Sequence, residues 1–121
     1  MRTSGDYRLG SIWLVRFDPS VGTEIRKTRP AVIISGTAFS RRSKVTVLPL
    51  TTSQPRDQRL LSIMVPVIPA DANGLDAESF VICVDPMTFD KKRLVQYVGQ
   101  LEQEQIQQAK SIIKRYLDLE H

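Results

Sequence analysis

The side chains best suited to chemistry in this sequence are one arginine and a run of hydroxyls. Arg29 stands just before an apolar segment, and three hydroxyl residues directly follow another: Thr51, Thr52 and Ser53. The fork of an arginine matches two phosphate oxygens, and hydroxyls can donate to the same group. Such a set could stabilise a phosphodiester that is attacked by its own ribose 2′-hydroxyl, a reaction that needs neither a metal nor a protein nucleophile.

A candidate base and a structural alternative accompany these residues. Glu24 lies in the same polar stretch as Arg29, residues 22–30, between two apolar runs, and could accept the proton of the attacking hydroxyl. Alternatively, Glu24 and Arg29 could form an ion pair that only anchors this loop. Thr51 and Ser53 could likewise only cap the turn that follows their strand. From the residues alone, both interpretations stay open.

Other catalytic arrangements find no support in the sequence. His121, the single histidine, is the last residue, where it cannot orient a serine triad, and the six glycines are too scattered to form a phosphate-binding loop. Cys83, the single cysteine, excludes an internal disulfide, and its apolar neighbours predict a buried thiol. The acidic residues of the predicted loops stand without metal-ligand spacing: Asp18, Glu24, Asp57 and Asp85. We therefore expect no metal ion and no cofactor.

Positive charge is concentrated in the first half of the chain. Residues 1–59 hold eleven basic and four acidic side chains, a net charge of +7, whereas residues 60–121 hold six and nine, a net charge of −3. Three basic clusters fall in predicted loops: 26–29, 41–44 and 56–59. This half could therefore present a continuous positive surface to the phosphates of a nucleic acid. The alternative is a basic surface that serves only solubility.

Length and hydropathy fit one domain. A chain of 121 residues with 41% hydrophobic residues holds too little apolar sequence for two cores. No run approaches the ~18 apolar residues of a membrane span, and the N-terminus lacks the apolar stretch of a signal peptide, so we expect a cytoplasmic protein. We expect a flexible tail over 1–9, a folded domain over 10–118 and a candidate expression-tag remnant over 119–121.

The apolar pattern predicts a mainly β fold with a C-terminal helix. From Glu102 onward, apolar residues recur at helical spacing. Pro66 favours an edge position for its strand, and residues 88–93 read as a connection or a single helical turn. Strands are predicted over 11–17, 31–35, 44–50, 61–68, 79–84 and 94–99. Short strands and one helix favour a small, strongly bent β-barrel with the helix packed alongside.

Several segments together resemble the MazF/PemK family, the toxins of bacterial type II toxin–antitoxin pairs. They read GSIWLVRFDPSVGTE over 10–24, KTRPAVIIS over 27–35, VLPLTT over 47–52, SFVI over 79–82 and TFDKKRL over 88–94. The resemblance implies a small SH3-like β-barrel of the MazF/PemK/CcdB type that forms a homodimer. It also implies a metal-independent, sequence-specific endoribonuclease that cleaves single-stranded RNA or mRNA. In this family the ribose 2′-hydroxyl attacks, which leaves 2′,3′-cyclic phosphate and 5′-hydroxyl ends.

The resemblance assigns roles to three residues of this chain. The catalytic arginine of the family falls on Arg29, and its catalytic threonine falls on Thr51. Glu24 matches the acidic residue that follows the family's glycine by two positions. The implied mechanism has Arg29 stabilising the phosphorane and Thr51 holding the scissile phosphate.

The sequence departs from the PemK branch at other positions. Thr23 stands where that branch has a histidine before the glutamate, and Ile82 and Val84 stand where it has an arginine and an aspartate. The acid and base pair of that branch is therefore absent. The predicted mechanism consequently rests on Arg29 and Thr51.

Three loops, 22–29, 39–43 and 54–60, would then frame an RNA groove, in which bases are read on their edges and cations neutralise phosphates. The predicted RNA-binding residues are Arg26, Lys27, Thr28, Phe39, Arg41, Arg42, Thr52, Ser53, Arg56 and Arg59. The family also implies a cognate antitoxin. A basic, partly apolar groove suits an acidic and apolar disordered tail that folds on binding.

Two other functions stay open on the sequence alone. A gyrase-inhibiting toxin of the same fold would use its C-terminal helix and would need neither Arg29 nor Thr51. A non-catalytic barrel would bind nucleic acid without cutting it. Growth arrest with DNA breaks would favour the first alternative, and RNA binding without product would favour the second.

Overall fold

The computed structural model describes residues 7–17 and 28–119. Short 3-10 turns occupy 37–39, 58–63 and 91–93. The strands and the helix of the described residues are β1 (Ser11–Arg16), β2 (Thr28–Ile33), β3 (Lys44–Thr51), β4 (Met64–Val67), β5 (Ser79–Ile82), β6 (Met87–Asp90), β7 (Leu94–Gln100) and α1 (Gln103–Tyr116). The predicted mainly β fold with a C-terminal helix is confirmed.

The strands form one antiparallel sheet in the order β4-β5-β3-β2-β1-β7, with β6 beside the first half of β3. Strand β3 is central because it has three partners along its length. Its N-terminal half pairs with β6, its middle pairs with β2, and its last two residues pair with β5. The C-terminal end of β3 is therefore where three segments of the chain meet.

The strands and the helix of the predicted barrel-type fold are present, but the sheet is not closed, because its two outer strands, β4 and β7, do not pair. The turn 71–74, which follows β4 along the chain and contacts β7, is not extended and therefore cannot form a ladder with β7. Instead, the carbonyl of Ala72 accepts a hydrogen bond of 2.9 Å from the backbone N–H of Gln100 at the edge of β7. The side chain of Asn73 holds this turn with three hydrogen bonds of 2.9 to 3.0 Å inside residues 68–75.

Both faces of the sheet are covered, as the two-sided apolar pattern of β1 predicts, because successive residues of a strand face opposite sides. The cluster on the face covered by α1 includes Ile12, Val32, Leu48, Ile106 and Ala109. The cluster on the other face includes Trp13, Val15, Ala31, Ile33, Val45 and Val47. The sheet therefore carries a buried apolar cluster on each face.

Strand β6 was not predicted, since residues 88–93 read as a connection. Residues 87–90 comprise two apolar and two polar side chains, too short a run to predict a strand, and they pair with residues 44–47 of β3. The hydroxyls of Thr46 and Thr88 lie 2.6 Å apart across this pair. A non-local pairing, and not local composition, thus makes this segment a strand.

The predicted strand over 61–68 begins only at Met64. Residues 58–63 form a 3-10 turn, which the carboxylate of Asp57 caps by accepting the N–H of Arg59 at 2.9 Å. The predicted edge position is confirmed, because β4 is the last strand of the sheet order and contains Pro66.

Helix α1 begins and ends with signals that can be recognised in the sequence. Glu102 and Gln105 form a reciprocal capping box, in which the side chain of Gln105 accepts the N–H of Glu102 at 3.0 Å. Lys114 and Arg115 lie in the last turn, where the helix dipole favours cations. In the part of the chain that the structure describes, no helix is long and apolar enough to cross a membrane.

The Cys83 thiol should be unreactive in the folded protein. It is fully buried and donates to the carbonyl of Val81, and burial raises its pKa to about 12 from 9.0. We expect slow alkylation by iodoacetamide at pH 8 in buffer and rapid alkylation in urea, measured by mass spectrometry. Because the unfolded thiol releases its proton first, its contribution to stability is complete below about pH 9 and declines as the pH rises toward 12. Equal alkylation rates in buffer and in urea would contradict this burial.

Candidate active site

Arg29 and Thr51 lie at the same end of the sheet. Strands β2 and β3 are antiparallel, and their register pairs Ala31 with Pro49. The paired residues end at Ala31 and Pro49, and Arg29 and Thr51 each lie two residues beyond them at this end of the two strands. Both residues line one cleft of about 290 Å³.

This cleft combines one cation with several hydroxyls. Arg29 is exposed and is the only charged side chain among the described residues of the cleft. Within residues 7–17 and 28–119, no carboxylate pairs with it. The described lining consists of Arg29, Pro30, Leu50, Thr51, Thr52, Ser53 and Ser79. An anion that enters the cleft therefore meets a positive charge on one side and hydroxyls on the other.

Thr51 is the last residue of β3 and is half-buried. Its hydroxyl oxygen accepts the backbone N–H of Ser53 at 3.1 Å, so the predicted turn-capping role is present. A hydroxyl that accepts one hydrogen bond keeps its own proton for donation. The structural and the chemical interpretations of Thr51 are therefore compatible.

Ser79 is a cleft residue that the sequence did not single out. It is buried at the start of β5, and its hydroxyl donates to the carbonyl of Ala77 at 3.0 Å. The pairing of Thr51 with Phe80 brings it to the cleft. No local signal could have found it, because the contact joins two strands that are 28 residues apart.

Phe39, Arg41 and Arg42, which were predicted to bind RNA, lie away from the cleft. They precede Lys44, the N-terminal residue of β3. The eight residues of this strand separate them from Thr51, at its C-terminal end, by roughly 23 Å. The side chain of Phe39 is 64% exposed. Within one chain, the structure does not bring these residues together with Arg29.

Arg56 and Arg59 follow the cleft hydroxyls on the next turn and differ in their partners. The guanidinium of Arg59 makes a bidentate contact with the carboxylate of Asp57, in which Nε donates to Oδ1 at 3.2 Å and Nη2 donates to Oδ2 at 2.7 Å. This contact holds the pKa of Asp57 below its usual range and raises the pKa of Arg59. Arg56 has no such partner among the described residues. Arg56 is therefore better placed than Arg59 to bind a phosphate.

The remaining predicted site residues lie at the start of β2 or before it. Thr28 pairs with Arg16 of β1 and is half-buried. Glu24, Arg26 and Lys27 lie outside the described residues, and their roles stay predictions. In the described ranges, no three histidine, cysteine, aspartate or glutamate side chains come close enough to hold a metal ion.

Comparison with known proteins identifies the family of this chain. The model of the PemK-like, MazF-like toxins of type II toxin–antitoxin systems matches residues 8–117. The chain belongs to this family. Endoribonuclease PemK of Escherichia coli is 34% identical to this toxin over 92 residues, which cover 76% of this chain and 67% of PemK.

Solved structures agree with this assignment. The Mycobacterium tuberculosis toxin MazF-mt6 matches with a TM-score of 0.72 and 26% sequence identity, over 92% of this chain and 99% of that one. An endoribonuclease from a mycobacterial species, solved in complex with its cognate antitoxin, matches with a TM-score of 0.65 and 19% identity. That match covers 94% of this chain and 95% of the other and shows a shared fold.

Proposed function

We propose that this toxin is a sequence-specific endoribonuclease that cleaves single-stranded RNA, with the scissile phosphate bound between Arg29 and Thr51. The observation that supports this proposal is the cleft that both residues line at the start of β2 and the end of β3. The site suits a phosphodiester because it offers a guanidinium fork and a hydroxyl proton to one anion. The PemK toxin, to which the chain is 34% identical, is named an endoribonuclease.

In the proposed reaction the nucleophile belongs to the RNA. The 2′-oxygen of the ribose attacks the adjacent phosphorus and forms a new O–P bond. The bond between this phosphorus and the 5′-oxygen of the next nucleotide breaks. The products are a 2′,3′-cyclic phosphate and a 5′-hydroxyl end. The attacking hydroxyl loses one proton, for which Glu24 is the proposed acceptor, and the leaving oxygen gains one.

Arg29 acts where negative charge develops. The pentacoordinate phosphorane carries more charge on its non-bridging oxygens than the phosphodiester does, so donors placed in advance stabilise it more than the ground state. Two N–H groups of Arg29 can bind these oxygens together and assist protonation of the leaving oxygen. The hydroxyl of Thr51 donates a hydrogen bond to the same phosphate, while its oxygen accepts a hydrogen bond from the backbone N–H of Ser53.

The test is cleavage of a long single-stranded RNA in EDTA, with the cut ends mapped. We expect discrete cuts with 5′-hydroxyl ends that EDTA does not suppress. Thr51→Val should slow cleavage by about a hundredfold to a thousandfold, because one hydrogen bond to the transition state is lost. Thr88→Val is the matched control, since Thr88 is an exposed threonine of β6 outside the cleft.

Two results would contradict the proposal. Cuts that vanish in EDTA would require a metal, and full activity in Thr51→Val would remove this residue from the site. A folded protein that cuts no RNA but causes DNA breaks in cells would favour gyrase as the target.

We infer that the toxin acts in the cytoplasm as a homodimer that a cognate antitoxin inhibits. Membership of a type II toxin–antitoxin family supports the antitoxin. An acidic and apolar tail would complement the positive charge of Arg29 and Arg56 and would compete with RNA for the cleft. Exposed apolar residues such as Ile68 (71%) and Val95 (49%) leave surface for association with a second copy.

A further inference from the structure

A second pocket, of about 410 Å³, opens directly beside the cleft. The two share three lining residues: Pro30, Thr52 and Ser79. The floor of the second pocket includes Leu14 and Gln96, which are partners across β1 and β7, and one wall is the loop 74–77. Its volume lies in the range of small-molecule sites. A molecule whose phosphate occupies the cleft can therefore extend its neighbouring group into this pocket.

The two sites carry opposite charges. Arg29 is the charged residue of the cleft, whereas Asp76 is the charged residue of the pocket among the described lining. Neither the side chain of Asp76 nor that of Gln96 has a hydrogen-bond or ion-pair partner in the described part of the chain. A carboxylate only accepts hydrogen bonds and repels phosphate. The pocket consequently favours an uncharged group that presents N–H donors.

The wall that carries Asp76 is held in place by close backbone packing. Gly74 has a φ of +68°, and a Cβ at this position would collide with the carbonyl oxygen of Val98 in β7. A Cβ on Gly99 would in turn collide with the backbone of Asn73. The hydrogen bonds of the Asn73 side chain hold the same loop from within. Asp76 therefore projects from a preorganised support, which lowers the cost of ordering the loop on binding.

We propose that this pocket binds the nucleobase next to the scissile phosphate and that Asp76 selects a base with an exocyclic amino group. This inference rests on the proposed function, because it names part of the RNA sequence that the same site reads. The 4-amino group of cytosine donates to a carboxylate, whereas the 4-oxo group of uracil repels it. Gln96 can donate or accept and so can pair with the adjacent ring nitrogen. Asp76 and Gln96 are then specificity residues, separate from the catalytic Arg29 and Thr51.

The test uses cytidine 3′-monophosphate and uridine 3′-monophosphate, which differ at the 4-position of the base. Affinities are measured by NMR titration of the wild-type protein, Asp76→Asn and Asp71→Asn. We expect the wild-type protein to bind the cytidine nucleotide about tenfold more tightly, and Asp76→Asn to bring the ratio of affinities close to one. Asp71→Asn makes the same change of charge on the exposed turn outside the pocket and should keep the preference.

Equal binding of both nucleotides by the wild-type protein, no binding of either, or an unchanged preference in Asp76→Asn would overturn the proposal. The NMR spectra also report whether each variant is folded. RNA cleavage in EDTA is scored separately. Retained cleavage with equal affinities for the two nucleotides would overturn only the proposal of a base pocket. A preference for the cytidine nucleotide without RNA cleavage would overturn only the proposed reaction.

Discussion

Arg29→Ala should lower the rate of RNA cleavage by about a thousandfold or more while leaving the protein folded. The loss is large because the guanidinium is the only described cation of the cleft and, in the proposed reaction, binds the oxygens on which charge develops. The fold should be unaffected, since the side chain is exposed and has no described ion-pair partner. Single-turnover cleavage of one mapped RNA site, together with a thermal melt, measures both effects.

Two matched variants sharpen this prediction. Arg29→Lys keeps the charge but lacks the planar fork, so we expect an activity between those of the wild-type protein and Arg29→Ala. Arg8→Ala removes an equal charge at the opposite end of the sheet, beside the contact of Gly10 with Ile33, and should cleave at the wild-type rate. Cleavage by Arg29→Ala at the wild-type rate would exclude Arg29 from the chemistry.

Leu48→Ala should lower the free energy of unfolding by about 2 to 5 kcal/mol. Leu48 is fully buried in the cluster beneath α1 and pairs with Val32 in the central strands, so the truncation leaves a cavity that rigid neighbours cannot fill. Such a loss is a large part of the roughly 5 to 15 kcal/mol that stabilises a typical domain. Urea unfolding followed by the fluorescence of the buried Trp13, the single tryptophan, measures it.

The control for this change is Leu60→Ala. Leu60 is 41% exposed, so the same truncation there should alter the free energy of unfolding by less than about 0.5 kcal/mol. A similar loss in both variants would mean that the cluster beneath α1 contributes no more to stability than the surface does.

Some features could be predicted from the sequence because short-range patterns encode them. The strand pattern of β1 and β3, the burial of Cys83 and the helical spacing of the apolar residues in α1 each depend on residues a few positions apart. Pro66 marked an edge strand because proline cannot donate to a sheet. The open sheet and strand β6 depend instead on pairings between distant segments, which a local pattern does not contain.

Residue types and their local order were enough to identify the family, the mainly β architecture and the candidate pair of Arg29 and Thr51. The surroundings of this pair depend on the tertiary structure. The antiparallel register between β2 and β3 brings Arg29 and Thr51 to the same end of the two strands, and the pairing of β3 with β5 adds Ser79. The packing of the loop 74–77 against β7 puts Asp76 next to the cleft, and the length of β3 keeps Phe39 away from it. These relations are decided by sheet order and register, which join residues that lie far apart along the chain.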